Sequence, residues 1–122
     1  MRRTSALFVL AALGAAADTP QNDPAELGRL RELARGALGT SCGTCHDHNR
    51  STAKPSALRI FDLAEPDWSA RVTAVQMDHM IGRFEGFHMP EADRVTVRRF
   101  LDAERARRAA LAARPGGDDP GL

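Results

Sequence analysis

The 122-residue chain has only two cysteines, three positions apart, with a histidine directly after them: Cys42-Gly43-Thr44-Cys45-His46. By accident such a coincidence is on the order of one in two thousand. Whatever the chain folds into must therefore hold two thiols and an imidazole side by side. Thiols at this spacing can each bond one vinyl group of a single porphyrin, and the histidine that follows is then held under the iron, within coordinating reach. On this reading Cys42 and Cys45 carry one covalent haem c and His46 is its proximal iron ligand.

Other chemistries for the same residues are weaker. A zinc site needs about four ligands, and Cys42, Cys45, His46 and His48 crowd one short stretch without a second cysteine pair. A redox dithiol of thioredoxin type expects a βαβ setting, and the chain has no alternating strand pattern. A plain disulfide between Cys42 and Cys45 would close a very small loop and stabilise little. Composition favours the cofactor: five Phe, one Trp and no Tyr leave a small domain short of apolar bulk that a prosthetic group could supply.

The first residues read as an export signal. Arg2 and Arg3 precede the apolar run Ala6–Leu13, and Ala15-Ala16-Ala17 offers a cleavage site. The run is far shorter than the ~20 residues of a membrane span. Cleavage after Ala17 is expected, giving a periplasmic protein with no stable membrane insertion. The mature chain would keep fifteen basic residues against sixteen acidic ones, with Lys54 the only lysine. This balance lacks the basic footprint of a nucleic-acid binder.

The expected organisation is a signal peptide over residues 1–17, a folded domain over 18–113 and a disordered tail over 114–122. Asp23-Pro24 opens a first helix, with Glu26 reaching back to its start and Gly39 as its stop. Residues 42–56 read as a loop and 57–64 as a short helix. Asp67 caps a helix over 68–83, with Trp68, Val72 and Val75 on one face. A loop carrying Phe87-His88-Met89-Pro90 leads to a last helix over 92–113, in which Leu111 continues the apolar positions. The fold class is all-α. The arginines of the last helix read as a solvated face, and they could also steer an acidic redox partner.

The motif and the Met89-Pro90 step resemble the class I monohaem cytochromes c, especially the small bacterial ones, over residues 23–113. The resemblance implies a cytochrome c domain of three to four main helices wrapped around one covalent haem. Phe100 fits the aromatic usual in the family's last helix, whereas Ala34 and Leu38 stand where the family has Gly and an aromatic. Pro55 resembles the proline whose carbonyl accepts the proximal histidine N–H, a bond that fixes the imidazole tautomer. Trp68 resembles the indole that holds a haem propionate; a tryptophan packing at a helix start is the equal alternative. Arg50, Arg59 and Arg71 are further propionate partners by charge alone. For the sixth ligand the chain offers Met77, Met80, Met89, His48, His79 and His88. Met89, before a proline and 43 positions after His46, matches the family's step and spacing, so His46 and Met89 are the expected metal ligands.

The function implied is that of a soluble, monomeric single-electron carrier working between redox partner proteins, with no catalytic residues of its own. The alternative is a haem-based sensor or enzyme with an open or weakly ligated distal iron site.

Overall fold

Asp23 starts the first helix as its sequence suggests: its carboxylate accepts the Ala25 N–H at 3.1 Å, and Pro24 occupies the first turn, where a missing N–H costs nothing. The computed structural model describes residues 23–114. The expected signal peptide and cleavage site, and the tail beyond Arg114, lie outside the described residues. Four helices follow one another: α1 (Pro24–His46), α2 (Pro55–Leu58), α3 (Ala74–Gly82) and α4 (Glu91–Ala112). They hold 63% of the described residues, which contain no strand, so the class is all-α. No described helix is long and apolar enough to cross a membrane.

The long helices α1 and α4 pack on each other most extensively. Leu27, Leu30, Ala34, Ala37 and Leu38 of α1 share one core with Val97, Phe100, Leu101 and Ala103 of α4. Ala34, Leu38, Val97, Phe100 and Leu101 are completely buried, and each large side chain among them contributes about 1.5–3 kcal/mol. Trp68 joins this core, its ring 5.3 Å from that of Phe100 and 5.8 Å, edge-on, from that of Phe61.

Several boundaries differ from the sequence expectation. Glu26 does not reach back; it pairs with Arg29 at 2.6 Å. Gly39 does not stop α1, which runs on through Cys42 and His46. The reason lies in the following loop, which folds back and satisfies the last carbonyls of the helix. Thr52 donates its hydroxyl to Thr44 O at 2.7 Å, Lys54 N–H donates to Cys45 O at 3.1 Å and Leu63 N–H donates to His46 O at 2.7 Å. A helix end with its carbonyls paired in this way needs no glycine stop. α2 is shorter than expected and begins at Pro55. The stretch before α3 forms turns, and α3 starts at Thr73. There Thr73 Oγ1 accepts the Gln76 N–H at 3.1 Å and Gln76 Oε1 accepts the Thr73 N–H at 2.9 Å, a complete capping box. Val75 therefore points outward, 62% exposed, while Trp68 and Val72 are buried. α4 begins one residue earlier than expected, and Leu111 lies exposed on it.

The arginine run of α4 is not a uniform solvated face. Glu104 is buried, and its carboxylate accepts from Arg107 at 2.7 and 2.9 Å and from Arg108 at 2.9 Å. Arg108 in turn donates to the carbonyls of Val72 at 2.6 Å and Ser69 at 3.1 Å, tying the turn region before α3 to α4. Arg105 adds an ion pair to Asp78 of α3. Burial pushes the Glu104 carboxyl up, but the hydrogen bonds from Arg107 and Arg108 outweigh it and hold the group below the usual carboxylate value.

A group lowered in the fold stabilises above its unfolded pKa of about 4.3 and loses that contribution as pH falls through the folded value. Glu104→Gln is therefore expected to cost about 1.5–3 kcal/mol near neutral pH. Denaturant titrations as a function of pH should show this gap shrinking below about pH 4.3.

Candidate functional site

Because α1 continues through the motif, Cys42, Cys45 and His46 occupy its last turn, held by the three carbonyl bonds just described. They line a cavity of about 520 Å³, to which Phe61, Met80 and Met89 contribute further. That volume lies within the about 300–1,000 Å³ typical of cofactor and ligand pockets.

Both thiols are free and half-buried. Burial, with the neighbouring Cys45 thiol second, pushes the Cys42 thiol up. Redox-active dithiols depend on the reverse, a pKa lowered at a helix N-terminus or by a cation. Here the pair sits at the C-terminal end of a helix, where the dipole disfavours thiolate. Among the described residues no three His, Cys, Asp or Glu side chains converge as a metal site, which leaves the zinc reading without a ligand set.

His46 is oriented from behind. Its Nδ1 lies 3.0 Å from Phe61 O, and its ring stacks on the Phe61 ring at 3.7 Å between centroids with the planes 2° apart. A carbonyl can only accept, so Nδ1 carries the proton, and in the neutral ring Nε2 keeps its lone pair for a ligand. Nε2 has no hydrogen-bond partner among the described residues. The acceptor expected at Pro55 is thus corrected to Phe61. Pro55 opens α2, and its carbonyl receives the Arg59 N–H at 3.2 Å.

The Phe61 carbonyl is itself held in place by its neighbour. Asp62 is buried; its Oδ1 accepts the backbone N–H groups of His48 at 3.3 Å and Ala64 at 3.0 Å, while Oδ2 lies 2.6 Å from His48 Nδ1. The hydrogen bond and charge of Asp62 hold His48 above the usual histidine range. Burial pushes Asp62 up, but its bonds to the His48 ring and the two N–H groups outweigh this and hold it low. Asp62 was not apparent as a site residue from sequence, because its part is to fix the carbonyl next to it.

The other sequence candidates separate cleanly. Met89 is buried to 1% exposure and lines the cavity. It is placed there by a turn in which His88 adopts φ 50° and Met89 N–H donates to Phe84 O at 3.0 Å; histidine is among the residues that tolerate this left-handed backbone. Met80 also lines the cavity, whereas Met77 is packed in the core away from it. His79 is exposed at the cavity mouth; His48 and His88 do not line it. Trp68 is not on the cavity wall. It lies in the core between Phe61 and Phe100, and its Nε1 is buried without a hydrogen-bond partner among the described residues. Arg50 wraps the helix end, donating to Gly39 O at 3.2 Å and lying 3.5 Å from the Asp47 carboxylate, and Arg71 pairs with Glu65. The Arg50 guanidinium lies 2.9 Å from where a Cβ on Gly43 would stand, so a larger residue there would push aside the end of this flexible side chain.

No protein family, curated protein or solved structure matches this chain.

Asp62→Ala leaves two backbone N–H groups without their acceptor and is expected to destabilise by about 1–3 kcal/mol. Asp62→Asn keeps an acceptor oxygen and should lose less. Thermal unfolding of the two variants, with the Asn variant melting higher, checks this.

Proposed function

We propose that this chain is a small exported c-type cytochrome, a single-electron carrier of the bacterial periplasm. Cys42 and Cys45 would hold one haem c as thioethers, with His46 Nε2 and the Met89 sulfur available to ligate its iron. One observation carries the reading: the cysteine pair, a histidine with its Nδ1–H already committed to a carbonyl, and a buried thioether all face one mostly apolar cavity. The donor set suits the group, since imidazole and thioether are both established haem-iron ligands. A bound haem would supply a one-electron iron couple, raised in potential by the thioether relative to a second histidine.

The chain's own residues have separate tasks. Phe61 O fixes the His46 tautomer and its ring plane. The turn at His88 delivers Met89. Phe61, Phe84 and Met80 keep water from the cavity interior. The α1–α4 packing and the short α2 and α3 would form the cytochrome c-like wrap. The proposed partners are donor and acceptor redox proteins.

A second reading has one observation in its favour. Gln76, His79 and Arg83, all in or directly after α3, put polar side chains on the cavity, as a sensor or enzyme with an open iron would require.

Two measurements test the proposal. Protein made with cytochrome maturation machinery should show a sharp reduced α band, and Cys42→Ala/Cys45→Ala should abolish haem that survives acid-acetone extraction; covalent haem in the double variant contradicts it. Met89→Ala should convert an iron closed to carbon monoxide into one that binds it stoichiometrically, lower the reduction potential and remove any weak red band of the oxidised form. Met77→Ala, off the cavity, should change none of these. A wild-type protein that binds carbon monoxide readily favours the sensor or enzyme.

A further inference from the structure

Residues 46–48 and 61–63 are joined by more bonds than the end of α1 needs. Leu63 N–H closes the His46 carbonyl at 2.7 Å, and His46 Nδ1 meets Phe61 O at 3.0 Å. Between these two crossings, Asp62 adds its side chain. Its Oδ1 accepts the His48 N–H at 3.3 Å and its Oδ2 lies 2.6 Å from His48 Nδ1. Oδ1 also takes the Ala64 N–H at 3.0 Å, inside its own segment. A buried carboxylate is costly unless its charge is answered. Asp62 is buried, yet the His48 ring that answers it is largely exposed. The exposed imidazole gains little burial from this contact; what it secures is the carboxylate.

The Phe61 carbonyl belongs to the planar peptide group that runs from Phe61 Cα to Asp62 Cα. The Phe61 ring, stacked on His46, steadies one end of that plane, and the Asp62 side chain steadies the other. A turn of the plane would swing Phe61 O away from Nδ1. An Nδ1–H held by a fixed acceptor makes the imidazole a stronger donor through Nε2.

We propose that the His48–Asp62 pair is a positioning device for His46 as an iron ligand, setting its donor strength and ring plane through the Phe61 carbonyl. Neither residue lines the cavity. This rests on the haem reading and goes beyond it, because it traces tuning of the iron couple to two side chains outside the site. A strongly donating imidazole favours the ferric state, so the pair lowers the potential, opposite in sense to the Met89 thioether.

The test uses the matured holoprotein, with helix content checked by circular dichroism, and compares Asp62→Ala, Asp62→Asn and His48→Ala at one pH. In Asp62→Ala the His46 Nδ1 proton is expected to exchange with solvent about tenfold faster, read by NMR of the ferrous form. The haem methyl shifts of the ferric form, which report the imidazole plane, should change, and the reduction potential should rise. Asparagine keeps an oxygen for the two N–H groups, so Asp62→Asn should restore the exchange rate and the shift pattern. His48→Ala removes the anchor of Oδ2 from an exposed position and should move all three readouts in the same direction as Asp62→Ala, by less. It decides the matter where Asp62→Ala gives no folded holoprotein.

A merely structural pair would lower the melting temperature and leave the Nδ1 proton and the methyl shifts where they are. Unchanged exchange and shift pattern in either alanine variant therefore overturn the proposal and leave the haem reading standing. A potential raised equally by Asp62→Ala and Asp62→Asn, with exchange unchanged in both, overturns it in favour of a plain charge effect. Matured protein without covalent haem overturns both.

Discussion

The last turn of α1 ends in carbonyls that have no helical partner, and the chain spends the next stretch supplying them. The Thr52 hydroxyl and the N–H groups of Lys54 and Leu63 each take one, at Thr44, Cys45 and His46 in order. Everything at the site follows from this closure. It keeps the motif helical, so both thiols and the imidazole face the same cavity. It brings Phe61 against His46, where ring stacking and one carbonyl set the imidazole plane and proton. It also seats Lys54 beside the cysteines. An unsatisfied carbonyl at any of these positions would cost about 1–3 kcal/mol, a large part of what a domain this small can spare.

The opposite side of the cavity depends on α4. Burying Glu104 is unfavourable unless its charge is answered, and Arg107 and Arg108 answer it. Arg108 then holds the Ser69 and Val72 carbonyls, so the irregular segment before α3 is anchored by a side chain on α4. α3 contributes Met80 to the cavity, and the turn between α3 and α4 contributes Met89. The cavity is thus assembled from two segments, each tied down by its own hydrogen bonds to backbone carbonyls and joined through one shared core.

Much of this was legible in the sequence, for reasons that can be named. Asp23-Pro24 is a local signal and placed the start of α1 correctly. The long amphipathic patterns of α1 and α4 placed both core helices, because side-chain periodicity survives whatever the rest of the chain does. Gly39 misled, since a glycine stop is a statement about local freedom, and distant carbonyl partners outweighed it. The start of α3 was readable as Thr73-x-x-Gln76, a capping box, but the apolar spacing of Trp68, Val72 and Val75 suggested an earlier start. At the site, the cysteines and His46 stand out because two cysteines three apart with a histidine directly after them are improbable by accident, and Met89 through its proline. Phe61 could not be found from sequence, because its function is carried by a backbone carbonyl that every residue possesses. The partners of Asp62 and Arg108 are likewise backbone atoms, invisible in one dimension.

The central question is whether the thiols of Cys42 and Cys45 carry a porphyrin. Proteolysis of the protein matured in a bacterial periplasm, followed by mass spectrometry of the peptide spanning residues 42–46, reads this directly. That peptide is expected to be heavier by one haem, with the added mass held through both cysteines. A peptide carrying two unmodified thiols, or a disulfide between them, would contradict it.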